Sequence, residues 1–260
     1  MYSLKIQRDV SYEMRAILVD WLVEIHYKKE FDGTTLWLAI NILDRYLLKH
    51  QIMRDKLQLV GVTSFLIAMK FSETDPMRAQ DCVSLTNNSY TKDDILDMEV
   101  KILETLDFQI SIPTGFHFIT HYLSLIGATE TMSCAALFVA ERSLQEEHSL
   151  TVLPSQYAAS AVFVAIWKSK MESHNALTDG PIPIASIWPD SLKGASGFTG
   201  ESLMPCARNL IFHAGQDPTT VSKRRLIAAK KKYYRVIRLR YPEGHLNAMN
   251  DFSFVSQSLD

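Results

Sequence analysis

A stretch near the start of the chain, residues 14–24, carries more apolar surface than a single helix face can hide. Its sequence is MRAILVDWLVE, and the apolar pattern continues to residue 25. One set of residues follows the i, i+3, i+4, i+7 spacing of a helical face, and a second set forms a strip on another side. The first set is Met14, Ile17, Leu18, Trp21, Leu22 and Ile25, and the second is Ala16, Val19 and Val23. Such a helix is either central to a bundle, or it buries one face and presents the other to a partner.

Helical periodicity continues along nearly the whole chain, and no run shows convincing strand alternation. The predicted helices lie near residues 13–29, 34–49, 54–71, 77–84, 92–107, 114–126, 129–147, 154–171, 200–214 and 219–236. Breakers such as Gly33, Pro113 and Pro154 stand where these helices should stop. Thr91 and Asp94 have the spacing of a capping box, which places a helix start at Thr91. The pattern predicts an all-α fold.

The segment ISIPTG, residues 110–115, is predicted to be a hinge between two helical halves. A faint internal repeat supports halves of similar plan, because residues 59–70 and 156–167 share a rhythm of small residues flanked by bulky apolar ones. A small residue such as Gly61 would let neighbouring helices approach closely. Residues 172–198 are rich in glycine and proline, and we expect them to form a long surface insertion.

The composition narrows the class of protein. Hydrophobic residues make up 47% and charged residues 22% of the 260 residues, which is ordinary for a soluble globular chain. The longest uncharged apolar run, residues 59–69, is too short to cross a bilayer, and the polar N-terminus does not resemble a signal peptide. The three cysteines, Cys82, Cys134 and Cys206, are widely spaced and odd in number. They fit a reducing compartment without a disulfide framework or a thiolate metal site.

The charge of the chain is unevenly distributed, although its net value is only −2. Residues 223–240 hold nine of the 27 basic residues and no acid, which leaves 18 basic against 29 acidic residues elsewhere. A basic segment on an acidic body predicts a polarised surface. Two interpretations stay open for this segment: one solvated face of a terminal helix, or a patch for nuclear import or for contacting anions.

Two charges interrupt the apolar stripes of the first half. Lys70 follows the uncharged run, and Glu99 lies within an apolar helix face. Burying either charge without a partner is costly, and Lys70 could instead cap its own helix while Glu99 reaches water at the edge. The repeat favours another interpretation, because Trp167 and Ala207 take the matching positions in the second half and packing therefore does not need the charges. We interpret Lys70 and Glu99 as a docking site for backbone polar groups of another chain.

Two further pairs of polar residues lie on predicted helices. Arg15 and Asp44 interrupt apolar helices, and the simplest account is a buried ion pair that ties the first helix to the second. His117 and His121 are spaced i, i+4, which suits zinc, but no third ligand is evident. No arrangement of Ser, His, Asp or Cys suggests nucleophilic catalysis. We therefore expect neither an enzyme nor a metal or cofactor site.

Several ordered motifs carry a family signature. They are MRAILVDWLVE at 14–24, LDRYL at 43–47, KLQLVG at 56–61, AMKF at 68–71, and YTK with DME between 90 and 99. The chain resembles a mitotic cyclin of the A/B class over nearly its whole length, and it is slightly closer to B-like members. The resemblance implies two tandem five-helix cyclin boxes, residues 1–111 and 112–260, the second carrying the insertion at 172–198. It further implies a non-catalytic subunit without cofactors that forms a heterodimer with a cyclin-dependent kinase, activates it, and controls G2/M or S progression in the nucleus and cytoplasm.

The resemblance also assigns roles to particular residues. Lys70 and Glu99 match the pair that hydrogen-bonds the mobile helix in the small lobe of the kinase. The apolar positions that pack around that helix are matched by Ile67, Phe71, Phe108 and Ile110. A second site is an exposed hydrophobic patch that binds Arg-x-Leu peptides of substrates or inhibitors, and it is matched by Met14, Ile17, Leu18 and Trp21. Glu24 matches the acid that meets the peptide arginine, and Gln58 matches a residue that contacts the peptide backbone.

Some features depart from the family pattern. The loop after Phe71 reads SETDPM at 72–77, where the family usually has two acids and Tyr-Pro-Pro, so the choice of kinase could differ. Thirteen residues precede Met14, fewer than the N-terminal helix and the destruction-box tail of mitotic cyclins would need. A rival interpretation is a nucleic-acid-binding protein of the two-cyclin-box transcription-factor kind, which would use the basic segment 223–240. The acidic remainder of the chain repels phosphate and speaks against it.

Overall fold

The computed structural model describes residues 6–173, 182–215, 220–221 and 224–233, and this part of the chain is predominantly helical. The α-helices are α1 (Tyr12–Lys29), α2 (Gly33–Lys49), α3 (Leu57–Ser72), α4 (Ala79–Leu85), α5 (Lys92–Thr105), α6 (Gly115–Leu125), α7 (Glu130–Ser143), α8 (Pro154–Ser173), α9 (Ile184–Ile187), α10 (Asp190–Ser196) and α11 (Gly200–Gly215). Short 3-10 turns lie at Arg54–Lys56 and Glu147–Leu150, and residues 228–233 are helical. Two short strands, β1 (Thr220–Val221) and β2 (Arg224–Arg225), pair antiparallel. The predicted all-α class is confirmed.

None of the helices in the described ranges has both the length and the apolar character that a bilayer span needs.

The helices form two compact units. The first contains α1–α5 together with Gln145–Thr151 and Thr220–Ala228, and the second contains α6–α11. The capping box predicted at the start of α5 is present, since the backbone N–H of Asp94 donates to Thr91 Oγ1 at 3.1 Å and that of Thr91 donates to Asp94 Oδ2 at 2.8 Å. The Thr91 hydroxyl also donates to Asp94 Oδ2 at 2.7 Å, and this bond, together with the one from the Thr91 N–H, lowers the pKa of the Asp94 carboxyl below its ordinary value.

Helix α3 is central in the first unit. It packs against α1, α2, α4 and α5, and its residues from Leu59 to Met69 are all buried. This burial accounts for the long uncharged run in the sequence. Gly61 permits a close approach of α1, because a Cβ atom added there would lie 2.7 Å from Leu18 Cδ1.

Helix α8 is central in the second unit. It packs against α6, α7, α9, α10 and α11, and residues 157–168 are buried. The two central helices are therefore the two segments that share the sequence repeat. Each tolerates small residues because several helices pack around it at once.

Part of the segment predicted as a surface insertion, residues 172–198, is helical and packs against the rest of the second unit. This part forms α9 and α10, and it buries Ile187, Trp188 and Leu192 in the second unit. The indole N–H of Trp188 donates to the carbonyl oxygen of Phe198 at 3.0 Å, which satisfies the polar atom of a fully buried side chain. Pro183 and Pro189 stand directly before the two short helices, and Gly197 ends the second of them. Residues 174–181 of the predicted insertion lie outside the described residues.

The helix predicted over residues 219–236 is wrong at its start. The β pair occupies the beginning of that range, and helix is found from residue 228 to residue 233. Residues 219, 222–223 and 234–236 of the predicted helix, and residues 223 and 234–240 of the basic segment, lie outside the described residues.

Candidate partner-binding surfaces

Lys70 and Glu99 form an ion pair on the surface of the first unit. Lys70 lies in the last turn of α3 and Glu99 in the middle of α5, and the Lys70 Nζ atom is 2.7 and 2.8 Å from the two carboxylate oxygens. The Lys70 side chain is 46% exposed and that of Glu99 is 13% exposed. The sequence did not predict that each would be the partner of the other. Because the lysine of this pair is about half exposed, the pair should contribute only about 0–1 kcal/mol to folding, so packing alone gives little reason for it.

The first unit also exposes several large apolar side chains. Phe71, next to Lys70, is 55% exposed, and Phe108, beyond the end of α5, is 68% exposed. Ile67 and Ile110 are buried, so of the four predicted apolar positions two are accessible and two lie beneath the surface. Val100, which follows Glu99, is also exposed and was missed. Its signal in the sequence is a valine between two charged residues on an otherwise polar helix face.

The backbone that carries Phe108 has an unusual conformation. Asp107 and Phe108 have φ angles of 52° and 57°, in the left-handed region that favours glycine. Two consecutive non-glycine residues in this region are uncommon and costly. The conformation turns the chain sharply after α5 and leaves the aromatic ring in solvent.

The predicted docking patch on α1 is partly accessible. Met14, Ile17 and Trp21 are partly exposed and are spaced i, i+3 and i+7 along one edge of the helix. The assignment of Leu18 to the exposed patch is wrong, because Leu18 is 6% exposed and packs onto Gly61. Its side chain therefore lies beneath the patch. The second apolar strip of α1 is buried, so this helix buries one face in its unit and is accessible along one edge.

The polar members of the predicted docking patch are accessible as well. Glu24, on α1, pairs with Lys28 at 2.8 Å, and both side chains are well exposed. Gln58 lies at the start of α3, which packs against α1, and is partly exposed. Glu24 is therefore available to exchange its lysine partner for another cation.

Arg15 and Asp44 form the ion pair that the sequence predicts between α1 and α2. Arg15 Nε lies 2.6 Å from Asp44 Oδ1, and Arg15 Nη2 donates to Asp44 Oδ2 at 2.8 Å. The Arg15 side chain is buried. A bidentate pair of this kind fixes the orientation of α1, which carries the docking patch.

The remaining reactive residues do not form a catalytic or metal site in the described part of the chain. The three cysteines are free thiols and are buried. Burial raises the pKa of the Cys82 thiol to about 12, with further effects from the nearby Asp81, Lys70 and Glu99. His117 and His121 are exposed on α6. Among the described residues, no group of three His, Cys, Asp or Glu side chains could hold a metal ion.

The basic segment is not wholly a solvated face. Lys232 Nζ lies 2.8 and 2.7 Å from the carboxylate oxygens of Glu141, which is buried in α7. Tyr233 is buried beside this pair, and burial together with Glu141 raises its pKa well above 10. Lys230 and Lys231 are exposed. At least one of the nine basic residues therefore serves the packing of the second unit.

Comparisons with known proteins fit this architecture. The profile described as "Cyclin, N-terminal domain" matches residues 1–111, and that described as "Cyclin, C-terminal domain" matches residues 113–238. The chain is 39% identical over 208 residues to Cyclin-B2-1 of Oryza sativa subsp. japonica, covering 80% of this chain and 46% of that protein. It is 36% identical over 228 residues to the G2/mitotic-specific cyclin S13-7 of Glycine max, covering 87% of this chain and 82% of that protein. The chain thus spans about half the length of the rice relative.

Solved structures show the same fold. A viral cyclin from herpesvirus saimiri superposes with a TM-score of 0.67 at 22% identity, covering 81% of this chain and 88% of that chain. A chain of the yeast RNA polymerase II CTD kinase complex CTDK-1 superposes with a TM-score of 0.61 at 13% identity, covering 96% of this chain and 84% of that chain. The matched profiles and the B-type and mitotic relatives agree on one conclusion: this chain belongs to the cyclin family.

Proposed function

We propose that this chain is the regulatory subunit of a cyclin-dependent protein kinase, which it binds and activates without contributing a catalytic group. The observation that carries the proposal is the Lys70–Glu99 ion pair, whose lysine side chain is 46% exposed, together with the exposed apolar side chains of Phe71, Val100 and Phe108 on the same unit. A charged pair with an exposed lysine, on a unit that also exposes large apolar side chains, suits a partner that buries an apolar face and offers backbone polar groups. A helix of another protein offers both.

The ion pair can bind such a helix without being broken. A lysine ammonium has three donors, of which two are directed at Glu99, and a carboxylate has about four lone-pair sites. The pair can therefore donate to a backbone carbonyl and accept from a backbone N–H while the bond between Lys70 and Glu99 persists. This capacity supports the role that the family resemblance gives to the two residues.

Activation would follow from differential affinity for two kinase conformations. Protein kinases need a lysine–glutamate ion pair that forms when a mobile helix of the small lobe moves inward. A partner that binds the inward position more tightly shifts the population toward it, and the shift cannot exceed the difference between the two affinities. The chain would also draw the activation loop away from the substrate path.

We also propose that the edge of α1 recruits substrates and inhibitors that contain an Arg-x-Leu motif. Met14, Ile17 and Trp21 offer a part-exposed apolar edge for the leucine, with Leu18 packed beneath. Glu24 would exchange Lys28 for the peptide arginine, and Gln58 would contact the peptide backbone. The proposal includes control of G2/M or S progression and action in the nucleus and cytoplasm.

The kinase proposal is tested with the double variant Lys70→Ala/Glu99→Ala. We expect its affinity for cyclin-dependent kinases to fall by about 30-fold or more, which is typical of central interface residues, and histone phosphorylation by the complex to be lost. Removing both partners leaves no unpaired charge, so the urea midpoint should change little.

The matched control is Asp190→Ala/Lys193→Ala, which removes a surface ion pair of 2.8 Å from the second unit. It should bind and activate the kinase like the unmodified chain. Equal kinase affinity of the Lys70→Ala/Glu99→Ala variant and this control would contradict the proposal.

A further inference from the structure

Two basic residues of α2 hold the turn that carries Phe108. Arg45 Nη1 donates to the carbonyl oxygen of Gln109 at 2.7 Å, and Lys49 Nζ donates to that of Thr105 at 2.9 Å. Lys49 Nζ also lies 3.8 Å from a carboxylate oxygen of Asp107. Because Arg45 and Lys49 are four residues apart, they lie on the same side of α2. One helix thus contacts the turn at both of its ends.

The turn needs such support because its backbone is strained. Asp107 and Phe108 are both in the left-handed region, and such conformations persist where the surrounding structure determines them. Within the turn, the N–H of Phe108 donates to the carbonyl oxygen of Leu103 at 2.9 Å, and that of Gln109 donates to Leu106 at 2.9 Å. The two charged donors from α2 supplement these bonds, and hydrogen bonds from charged donors are the stronger kind.

The strained turn does not stabilise the isolated chain. The strained turn places Phe108 largely in water, while Ile110, two residues later, is buried and anchors the segment. Backbone strain and an exposed aromatic ring are both unfavourable for the isolated chain. They become favourable when a partner covers the ring, because a side chain already held in place loses less freedom on binding.

We infer that Arg45 and Lys49 are positioning residues that clamp the turn 105–110 and hold Phe108 ready for contact with the kinase. The inference rests on the proposed function and specifies how one part of the binding surface is prepared. Neither residue needs to touch the kinase. Their effect on affinity should therefore depend on the presence of the Phe108 ring.

The test is a double-mutant cycle between the clamp and the ring. Arg45→Met/Lys49→Met keeps long side chains and removes the donors, and Phe108→Ala removes the ring. We expect the methionine pair to weaken kinase binding by roughly 3- to 10-fold. The loss should appear mainly in the association rate constant, and its size should be the same at low and at high salt concentration. In the Phe108→Ala background the methionine pair should cause no further loss. Arg54→Met/Lys193→Met removes the same number and types of charge from surface ion pairs elsewhere and should not change the affinity.

Three results would overturn the inference. The methionine pair could leave the affinity unchanged, or it could cause the same loss with and without the Phe108 ring, which would indicate general destabilisation. If Phe108→Ala and Lys70→Ala/Glu99→Ala both bind the kinase normally, the proposed function itself fails and the inference fails with it. Lys49→Met alone, a change at a half-exposed side chain, completes the same cycle should the methionine pair not fold.

Discussion

The extent of burial determines whether an ion pair of this chain fixes a helix in place or is accessible to a partner. The Arg15–Asp44 pair and the Lys70–Glu99 pair are both bidentate, with shortest distances of 2.6 and 2.7 Å. Arg15 is buried, so its charge has lost water and is stabilised by Asp44, whereas the Lys70 side chain is 46% exposed and keeps much of its hydration. The first pair therefore determines the placement of α1, and the second leaves the Lys70 ammonium accessible to a partner.

Removing Asp44 should be far more damaging than removing the surface pair. We expect Asp44→Ala to lower the free energy of unfolding by about 3–5 kcal/mol, because it leaves a buried guanidinium without its carboxylate. Urea unfolding should show a lower midpoint with an unchanged slope. The apolar replacement Arg15→Met/Asp44→Leu should recover most of the loss. A loss of less than 1 kcal/mol for Asp44→Ala would show that the pair is not important for folding.

Single residues show where sequence reasoning reaches its limit. The pairing of Arg15 with Asp44 could be predicted, because two charges interrupt otherwise apolar helices and each needs a partner. The pairing of Lys70 with Glu99 could not, because it depends on where α3 and α5 contact each other. The burial of Leu18 was missed for a similar reason. Periodicity places it on the same helix face as Met14 and Trp21, and Gly61 on the neighbouring helix then decides which of them is covered.

At the scale of elements, α1 combines a buried face with an accessible edge. Its edge residues Met14 and Trp21 are partly exposed, while Leu18 fills the space above Gly61. The proposed docking role and the packing role therefore belong to different residues of one helix. This separation makes the two roles testable one at a time.

The docking role is tested with Met14→Ala/Trp21→Ala. We expect the kinase complex of this variant to phosphorylate short peptides normally, because the catalytic site and the Lys70–Glu99 surface are unchanged. Phosphorylation of an Arg-x-Leu substrate should fall by roughly tenfold or more, since apolar anchors dominate such contacts. Measuring kcat/KM on both substrates distinguishes the outcomes. An equal loss on both would mean that these residues stabilise the fold and do not form a docking patch.

The packing role is tested at the contact between Gly61 and Leu18. We expect Gly61→Val to lower the free energy of unfolding by about 1–3 kcal/mol through overpacking, since even a Cβ atom would lie 2.7 Å from Leu18 Cδ1. Leu18→Ala should remove the clash, so the double variant should be more stable than the sum of the single losses predicts. Additive losses in urea unfolding would show that another contact is responsible.

Most helices could be predicted from the sequence, and the exceptions have physical causes. Helix α5 begins where its capping box is, and α3 and α8 follow from their apolar runs. Helices α9 and α10 were missed because proline and glycine were interpreted as loop residues, although Trp188 in the same segment indicated burial. The helix predicted from residue 219 failed because a strand pair this short has no periodicity that a sequence pattern could reveal.

At the scale of the whole molecule, all three cysteines lie inside the two units. Burial is the largest cause of the raised pKa of each thiol, and the Cys82 value reaches about 12. We therefore expect a thiol reagent at pH 8 to label none of the three cysteines in the folded chain and all three in denaturant. Labelling of Cys82 at the rate of a free thiol would contradict its burial in the first unit.

The pH dependence of stability should reflect buried tyrosines. The pKa of Tyr233 is raised well above 10 by burial and by its neighbour Glu141, so the folded chain keeps a proton that the unfolded chain releases near pH 10. The folded state then binds more protons, and stability is expected to fall as the pH rises above about 10.

Tyr233→Phe separates this titration from the packing of the ring. It should be less stable than the unmodified chain at pH 7, because Glu141 loses a hydrogen bond, but its stability should fall less between pH 9 and pH 11. Urea unfolding at each pH measures the difference. Parallel stability curves for Tyr233→Phe and the unmodified chain would assign the alkaline loss to other groups, since a titrating Tyr233 must contribute to the slope in proportion to the proton that it retains.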